Sequence, residues 1–329
     1  MITIGFSPHR AEALPFIFRA MSRHRVIVLE NPPDLNFTPM LNGEMSIENY
    51  LMESDSGFPE FERLMCRSLQ KFHKQGKEIL QIEPYLERLL EIHEHFAAAK
   101  TPEYILQLPE LNPVYRAEKK ATGALITYYR RSTQTDFSNL ISSVKAFAKA
   151  DAERSNLRSM LRAQAIASLD MTREIFVESG YIHYPLYRYL RRKLKGQTPI
   201  RVVYLLDEVF RKLKCKRRNM GPGDILTLYY ALHSTIKKNL ADLLAARSVI
   251  YIQLIQKQEI IPHGSDTPHS LDEAAANDLV ERLGFEDCKS IYPRIRFKPR
   301  DKALEAVSAF VNHKRKILID RKHSRRDKI

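Results

Sequence analysis

The amino-acid sequence predicts an α/β fold, in which a mostly parallel sheet flanked by helices is followed by a mainly helical C-terminal part. Two observations carry this prediction. Strand-like and helix-like patterns alternate through the first two hundred residues, which is typical of parallel βαβ units. Beyond Leu206 the strand-like runs stop and the remaining patterns are mainly helical.

Three strands are predicted in the N-terminal part of the chain. Residues 2–6 and 26–29 are short apolar runs, and the second stops at an Asn-Pro-Pro sequence, as buried strands do. A helix over 11–23 connects them, because its apolar residues recur at helical spacing. An irregular segment follows through residue 58, and a helix over 60–75 then leads to the third strand at 78–82.

Two further strands are predicted at 175–177 and 199–206. Helices are predicted over 85–99, over almost all of 114–172, and over 185–194. After a GPGD turn at 221–224, one long helix is predicted from about 225 to 260. We therefore divide the chain into an α/β domain, 1–206, and a basic, mainly helical region with a charged tail, 207–329.

Composition excludes several classes of protein. A chain of 329 residues with 44% hydrophobic residues can bury a core, so disorder throughout is excluded. The three cysteines form no CxxC pair, which argues against a disulfide framework or a thiolate zinc site and favours a cytoplasmic location. The most apolar stretch, 240–255, is interrupted by Asp242 and Arg247 and is too short to span a membrane.

Charge is unevenly distributed along the chain. Residues 1–110 hold 11 Lys and Arg against 16 Asp and Glu, so the net excess of +14 lies entirely in 111–329. Three basic clusters stand out, and they comprise Arg188, Arg191, Arg192, Lys193 and Lys195; Arg211, Lys212, Lys214, Lys216, Arg217 and Arg218; and the tail from Lys314 to Lys328. Such clusters can attract nucleic acid or an anionic membrane surface, but solvated helix faces and mobile tails produce them too.

Four chemically versatile residues follow the predicted strands. His9 lies beyond the first strand, Glu30 ends the second, Glu83 ends the third and His183 follows the fourth. Ligands of open parallel sheets bind at the carboxyl ends of the strands. If the strands are neighbours, these residues predict either a divalent metal site or a His base oriented by a carboxylate. Polar residues also occur at strand ends simply because strands emerge there into solvent.

Other candidates are weaker. Arg154, Arg158 and Arg162 share one helix face, where they either orient an anionic group or form an exposed basic stripe. The chain contains no GxSxG, P-loop or GxGxxG motif, and Glu91-Ile-His-Glu-His95 lacks the spacing of HExxH. His263 and His269 lie in a Pro/Ser/Asp-rich loop and are expected to face solvent.

The residues around these strand ends resemble motifs of the TraB/Tiki superfamily, to which erythromycin esterases and ChaN-like haem-binding proteins are related. Gly180-Tyr-Ile-His183 is similar to the second GxxH motif of that family, and the helix carrying Arg158 is similar to its Arg-containing helix. Gly5-Phe-Ser-Pro-His9 and the strand ending in Glu30 are similar to its first motif and acidic strand end. The first motif here is GxxxH, which is closer to the esterase branch, and Phe6 stands where that branch has Glu.

The resemblance covers about residues 1–206 and implies functional roles. It implies a sheet flanked by helices, with His9, Glu30 and His183 as metal ligands or base and Arg158 as an orienting cation. Glu83 and Glu178 are positional assignments. The family's activities include metal-dependent proteolysis, ester hydrolysis and haem binding, and of the cofactors we rank a divalent transition metal above haem.

The leading hypothesis is therefore a hydrolase of a peptide or ester bond, assisted by a metal. The substrate would be a peptide or a small-molecule ester. The sequence leaves open whether the protein is an enzyme at all, because a non-catalytic protein that binds nucleic acid or an anionic membrane through its basic C-terminal part also fits.

Overall fold

The computed structural model of the protein describes residues 1–52, 57–215, 220–233 and 235–326, with side chains through residue 316. Residues 216–218 of the second predicted basic cluster, and the side chains of the third from residue 317 onwards, lie outside the described part. Of the helices within it, none combines the length and apolarity that a membrane crossing requires. This agrees with the interpretation of residues 240–255.

The first of two compact units contains a five-stranded sheet. This unit comprises Met1–Gly123, Lys149–Arg218 and Gln258–His269. Its strands are β1 (Ile2–Phe6), β2 (Val26–Leu29), β3 (Glu78–Gln81), β4 (Ile175–Ser179) and β5 (Ile200–Tyr204). They lie in the order β3-β2-β4-β1-β5, and every neighbouring pair is parallel. The prediction of an α/β fold with a parallel sheet is confirmed.

Helices occupy the connections between the strands. Between β1 and β4 the chain forms α1 (Leu14–Met21), α2 (Phe37–Asn42), α3 (Ile47–Leu51), α4 (Pro59–Lys74), α5 (Pro84–Ala97), α6 (Pro102–Gln107), α7 (Asn112–Ser132) and α8 (Phe137–Ile166). After β4 come α9 (Pro185–Lys193) and, following β5, α10 (Asp207–Lys212). The division between the two units falls within α7 and α8.

Both faces of the sheet are covered, which explains why the inner strands β1 and β2 are almost continuously apolar and fully buried. Successive side chains of a strand point to opposite faces. Ile27 and Phe176 accordingly pack on one face with residues of α1 and α4. Val28 and Val177 pack on the other face with residues of α8 and α9. A sheet of this kind places most of its polar chemistry at the strand ends.

The second unit is helical. It comprises Ala124–Ala148, Asn219–Lys257 and Ser270–Ile329, and so includes parts of α7 and α8. Its other helices are α11 (Pro222–Leu232), α12 (Lys238–Leu254), most of α13 (Pro268–Glu281), α14 (Phe285–Ile295) and α15 (Arg300–Arg326). Its core joins buried residues of α8, such as Leu140, to Val249 of α12 and Ile291 of α14. The prediction of a mainly helical C-terminal part is confirmed.

The units interleave along the chain, whereas the sequence predicted one boundary after residue 206. Residues 124–148, which the sequence assigned to the first domain, belong to the second unit. Residues 258–269, assigned to the second domain, belong to the first unit. Chain position alone does not show such an exchange, because both segments have ordinary local patterns.

Several helices differ from the sequence prediction. The segment expected to be irregular through residue 58 contains α2 and α3. The helix expected over 225–260 is two helices, because His233 adopts an extended backbone with φ −128° and ψ 140°. The neighbouring His, Ser, Thr and Ile residues have low helix propensity. The GPGD segment is not a free turn: Gly221 is the N-cap of α11, and Pro222 occupies its first position.

Candidate functional site

The four predicted residues meet at one edge of the sheet. Glu30 directly follows β2, Glu83 lies two residues beyond β3, and His9 lies three residues beyond β1. His183 ends a single 3-10 turn, Tyr181–His183, after β4. Because β3, β2, β4 and β1 are consecutive neighbours in the sheet, their carboxyl ends adjoin. We call this cluster, together with Glu178, Arg158 and Arg162, the rim site.

Glu178 is the central carboxylate of the rim site. It lies within β4, opposite Gly5 of β1, and is 4% exposed. Its Oε1 is 2.8 Å from Nε2 of His9, and its Oε2 accepts a hydrogen bond from the Glu30 N–H at 3.1 Å. Gly5 is required beside it, because a Cβ there would lie 2.5 Å from the Phe176 ring.

Glu30 is held by two arginines, a histidine and a backbone amide. Its Oε2 accepts a hydrogen bond from Gly180 N–H at 2.7 Å, and its Oε1 lies 3.0 Å from both His183 Nε2 and Arg158 Nη2. Burial by itself would raise the pKa of Glu30. The charge and hydrogen bond of His183, with the charges of Arg162 and Arg158, instead hold that pKa well below its usual value. Glu30 is therefore a carboxylate at neutral pH.

Two arginines of α8 bind carboxylates of the rim site. Arg158 Nε lies 3.1 Å from Glu83 Oε2, so this guanidinium joins Glu83 to Glu30. Arg162 is 1% exposed, and it donates hydrogen bonds to the carbonyls of Ile82 at 2.9 Å and Glu178 at 2.8 Å. These two arginines orient carboxylates rather than forming an exposed stripe, because one turn of helix brings both to the same strand ends.

The third arginine of that series has a separate role. Arg154 pairs with Asp151 and Glu118, and Glu118 also accepts a hydrogen bond from the Tyr85 hydroxyl at 2.8 Å. Arg154 therefore lies in a neighbouring ion-pair group of the same unit, and no contact with the rim carboxylates is described for it.

His9 is the accessible member of the rim site. Its side chain is 45% exposed, and its ring stacks on Phe61 with centroids 5.4 Å apart. Loss of hydration lowers its basicity, but the charge and hydrogen bond of Glu178, with the charge of Glu30, raise the pKa of His9 to about 9. At neutral pH His9 is therefore an imidazolium beside the Glu178 carboxyl group.

One group of donors has the spacing of a metal site. Ligand atoms of His9, Glu30 and Glu178 lie within 4.8 Å of one another. The sequence proposed His9, Glu30 and His183 as ligands, and the structure places His183 against Glu30 but outside this group of three. An imidazole and two carboxylates suit a divalent transition metal.

Sequence reasoning missed the importance of Glu178 and Arg162. Glu178 was only a positional assignment, although a charged residue within the buried run Ile175–Ser179 is itself a signal, since strands covered on both faces rarely hold one. Arg162 was visible only as a member of a stripe. Its spacing of four residues from Arg158 was the available signal, but which helix face meets the sheet is a tertiary property.

Of the two histidines expected to face solvent, one does. His263 is exposed, whereas His269 is 1% exposed, so that prediction is wrong for His269. The ring is buried because the segment 258–269 returns to the first unit, where Glu12 accepts a hydrogen bond from the His269 N–H at 2.8 Å.

Comparison with known proteins gives one relative and no assigned activity. An uncharacterised protein of Archaeoglobus fulgidus is 27% identical over 298 residues, which is 90% of this chain and 99% of the relative. No protein-family model matches the chain, and no solved structure does.

Proposed function

We propose that the protein is a hydrolase of TraB/Tiki type that uses a divalent transition metal at the rim site. The observation that carries the proposal is the grouping of His9, Glu30 and Glu178, whose ligand atoms lie within 4.8 Å of one another at the carboxyl ends of parallel strands. The substrate classes, a peptide or a small-molecule ester, come from the resemblance of the GxxxH and GxxH segments.

Two of the three donors, Glu178 and His9, are open to such a metal. Glu178 has one described contact on each oxygen, which leaves lone pairs on both. His9 is the side chain open to solvent, and it binds a metal after releasing its proton. When bound, the ion would polarise a carbonyl oxygen and lower the pKa of a water molecule.

The remaining side chains of the rim site have positioning roles in this proposal. Arg158 fixes Glu30 in its orientation through its 3.0 Å contact and is itself held by Glu83. His183 lies 3.0 Å from Glu30 Oε1 and orients this carboxylate from the side of β4. The network thereby holds the two carboxylates in one geometry before substrate binds.

Metal affinity tests the site without assuming a substrate. Metal-free protein is titrated with Zn²⁺ and Mn²⁺ by calorimetry, and metal content is measured after purification without chelator. We expect Glu178→Gln to abolish binding, because it removes a ligand. We expect His183→Gln to weaken binding about 10–100-fold, the usual effect of a residue that orients a ligand.

The control for this experiment is Glu118→Gln, which changes a carboxylate to an amide in the neighbouring ion-pair group of the same unit. It should leave metal binding unchanged. Equal affinity in the wild type and in Glu178→Gln would contradict the site, as would the absence of binding in the wild type.

Activity is then measured on panels of peptides and esters. His9→Ala and Glu30→Gln should abolish turnover, and circular dichroism checks that both variants stay folded. Glu30→Gln is preferred to an alanine substitution because it preserves the volume beside Arg158 and Gly180. Turnover retained in both variants would refute catalysis at the rim site. The cytoplasmic location stays a prediction, which rests on three cysteines that form no disulfide among the described residues.

A further inference from the structure

Helix α9 presents a cationic surface, and the segment of chain that contains it has no acidic residue. Between Glu178 and Asp207 the chain contains no Asp or Glu. The α9 basic surface consists of Arg188, Arg191, Arg192, Lys193 and Lys195, and all five are exposed.

Several other arginines of the same unit are paired. Arg88, Arg158 and Arg173, for example, each contact a carboxylate. Among the residues that the structure describes, no ion pair involves Arg191, Arg192, Lys193 or Lys195. A cation at a helix C-terminus stabilises the helix through its dipole, but this effect is confined to the last turn. Arg188 and Lys195 lie outside that turn, so the dipole does not account for the whole surface.

We infer that the α9 basic surface binds the phosphate backbone of a nucleic acid. Charge complementarity supports a polyanion, because each phosphate neutralised by Lys or Arg releases counterions. The dimensions agree: a helix of nine residues is about 13 Å long, and one DNA strand carries a phosphate about every 3.4 Å of axis. Tyr187 and Tyr189 on the same helix are half-buried, so part of each ring is accessible for stacking.

An anionic membrane fits this surface less well. Helices that lie in a membrane interface insert an apolar face among the lipids. The apolar residues of α9, Leu186 and Leu190, are completely buried in the core against the sheet. None of the exposed large hydrophobic side chains of the described residues belongs to α9. The helix therefore has positive charge but no exposed apolar face to insert into a membrane. Binding to a phosphate backbone requires the charge only.

The test compares two triple variants of the full chain that remove the same charge. One is Arg191→Gln/Arg192→Gln/Lys193→Gln on α9, and the control is Arg67→Gln/Lys71→Gln/Lys74→Gln on α4, whose three residues are also exposed. Fluorescence anisotropy measures binding to a labelled single-stranded oligonucleotide of mixed sequence and to its duplex, between about 50 and 200 mM salt. The basic C-terminal tail is present in both variants, so its contribution cancels.

We expect the wild type and the α4 control to bind with the same steep salt dependence. The α9 variant should bind more weakly, and its slope of log K against log salt should be smaller by about 2–3, since each phosphate contact contributes about 0.7–0.9. Circular dichroism and a thermal melt check that the α9 variant stays folded.

Three outcomes would overturn the inference. One is an equal slope for the α9 and α4 variants, which would place binding elsewhere. Another is a wild type that does not bind either oligonucleotide at low salt. The third is a wild type that binds phosphatidylserine vesicles but not oligonucleotides, together with an α9 variant that no longer binds the vesicles. This result would identify a membrane surface instead.

Discussion

Arg162 contacts both the strand-end carbonyls and the carboxylates of the rim site. Its guanidinium is almost fully buried, donates to two strand-end carbonyls and lies 3.6 Å from Glu30 and 3.8 Å from Glu83. Removing one partner of a buried ion pair leaves an uncompensated charge in a medium that solvates it poorly. The arginine is thus a condition for keeping two carboxylates buried there.

Replacing Arg162 by Met should lower the free energy of unfolding by about 3–5 kcal/mol. Adding Glu83→Gln should recover part of this loss, because the amide needs no countercharge. We therefore expect the double variant to be less destabilised than the sum of the two single variants, by about 0.5–3 kcal/mol. Urea unfolding of the four proteins measures the cycle.

Arg154→Met is the matched control for that cycle. It removes an arginine from the same helix, but its side chain is 34% exposed, so the expected loss is at most about 1 kcal/mol. Strict additivity of Arg162→Met and Glu83→Gln would show that the two side chains do not interact energetically.

At the scale of single residues, the sequence identified those groups whose position follows from a strand end. His9, Glu30, Glu83 and His183 each follow a recognisable apolar run, and parallel strands bring such positions together. Glu178 and Arg162 depend on the register of β4 and on which face of α8 meets the sheet. These are tertiary properties that one sequence does not contain.

At the scale of elements, the segment 258–269 stabilises a helix that is distant in sequence. The carboxylate of Glu259 accepts hydrogen bonds from the N–H groups of Glu60 and Phe61, each at 2.9 Å. These amides belong to the first turn of α4, whose N-cap residue, Phe58, provides no side-chain cap. Glu259 therefore acts as the missing cap.

His269 makes this segment sensitive to acid. Its Nε2 accepts a hydrogen bond from the Ile260 N–H at 2.8 Å, which requires an unprotonated nitrogen. Burial and the charge of Arg10 lower the pKa of His269 to about 4, from 6.5 in an unfolded chain. Between these values the unfolded protein binds more protons than the folded one. The contribution is complete above pH 6.5 and is lost as pH falls towards 4.

We expect His269→Gln to remove this pH dependence. The stability difference between wild type and variant should narrow by about 2–3 kcal/mol between about pH 7.5 and 4.5, because one unit of pKa corresponds to about 1.4 kcal/mol. Urea unfolding at a series of pH values measures it. The exposed His263→Gln is the control and should follow the wild type. Parallel profiles of wild type and His269→Gln would contradict the assignment.

The elements that the sequence predicted correctly are those with strong local patterns. β1 and β2 have the predicted bounds, because each is a short apolar run with clear stops. The single helix predicted over 225–260 failed because the mostly polar stretch 233–237, where α11 and α12 separate, contains neither Pro nor Gly, the usual helix stops. Only the low propensity of residues around His233 marked the interruption.

At the scale of the whole molecule, the two units exchange segments, and this decides which fragments can fold. A fragment ending at residue 206 retains all five strands of the sheet. It loses Glu259 and His269, which the first unit uses, and it keeps residues 124–148, whose buried side chains belong to the helical core.

We therefore expect the fragment 1–206 to expose apolar surface. Leu140 and Val144 are 0% and 6% exposed in the full chain, and their neighbours in α12 and α14 are absent from the fragment. Size-exclusion chromatography should show association, and an apolar dye should bind. Leu140→Gln/Val144→Gln should reduce both effects in the fragment, yet destabilise the full chain by creating unpaired polar groups in its core. A monomeric fragment that unfolds cooperatively and excludes the dye would instead support a domain boundary after residue 206, since the segments exchanged between the units would then be dispensable to the sheet.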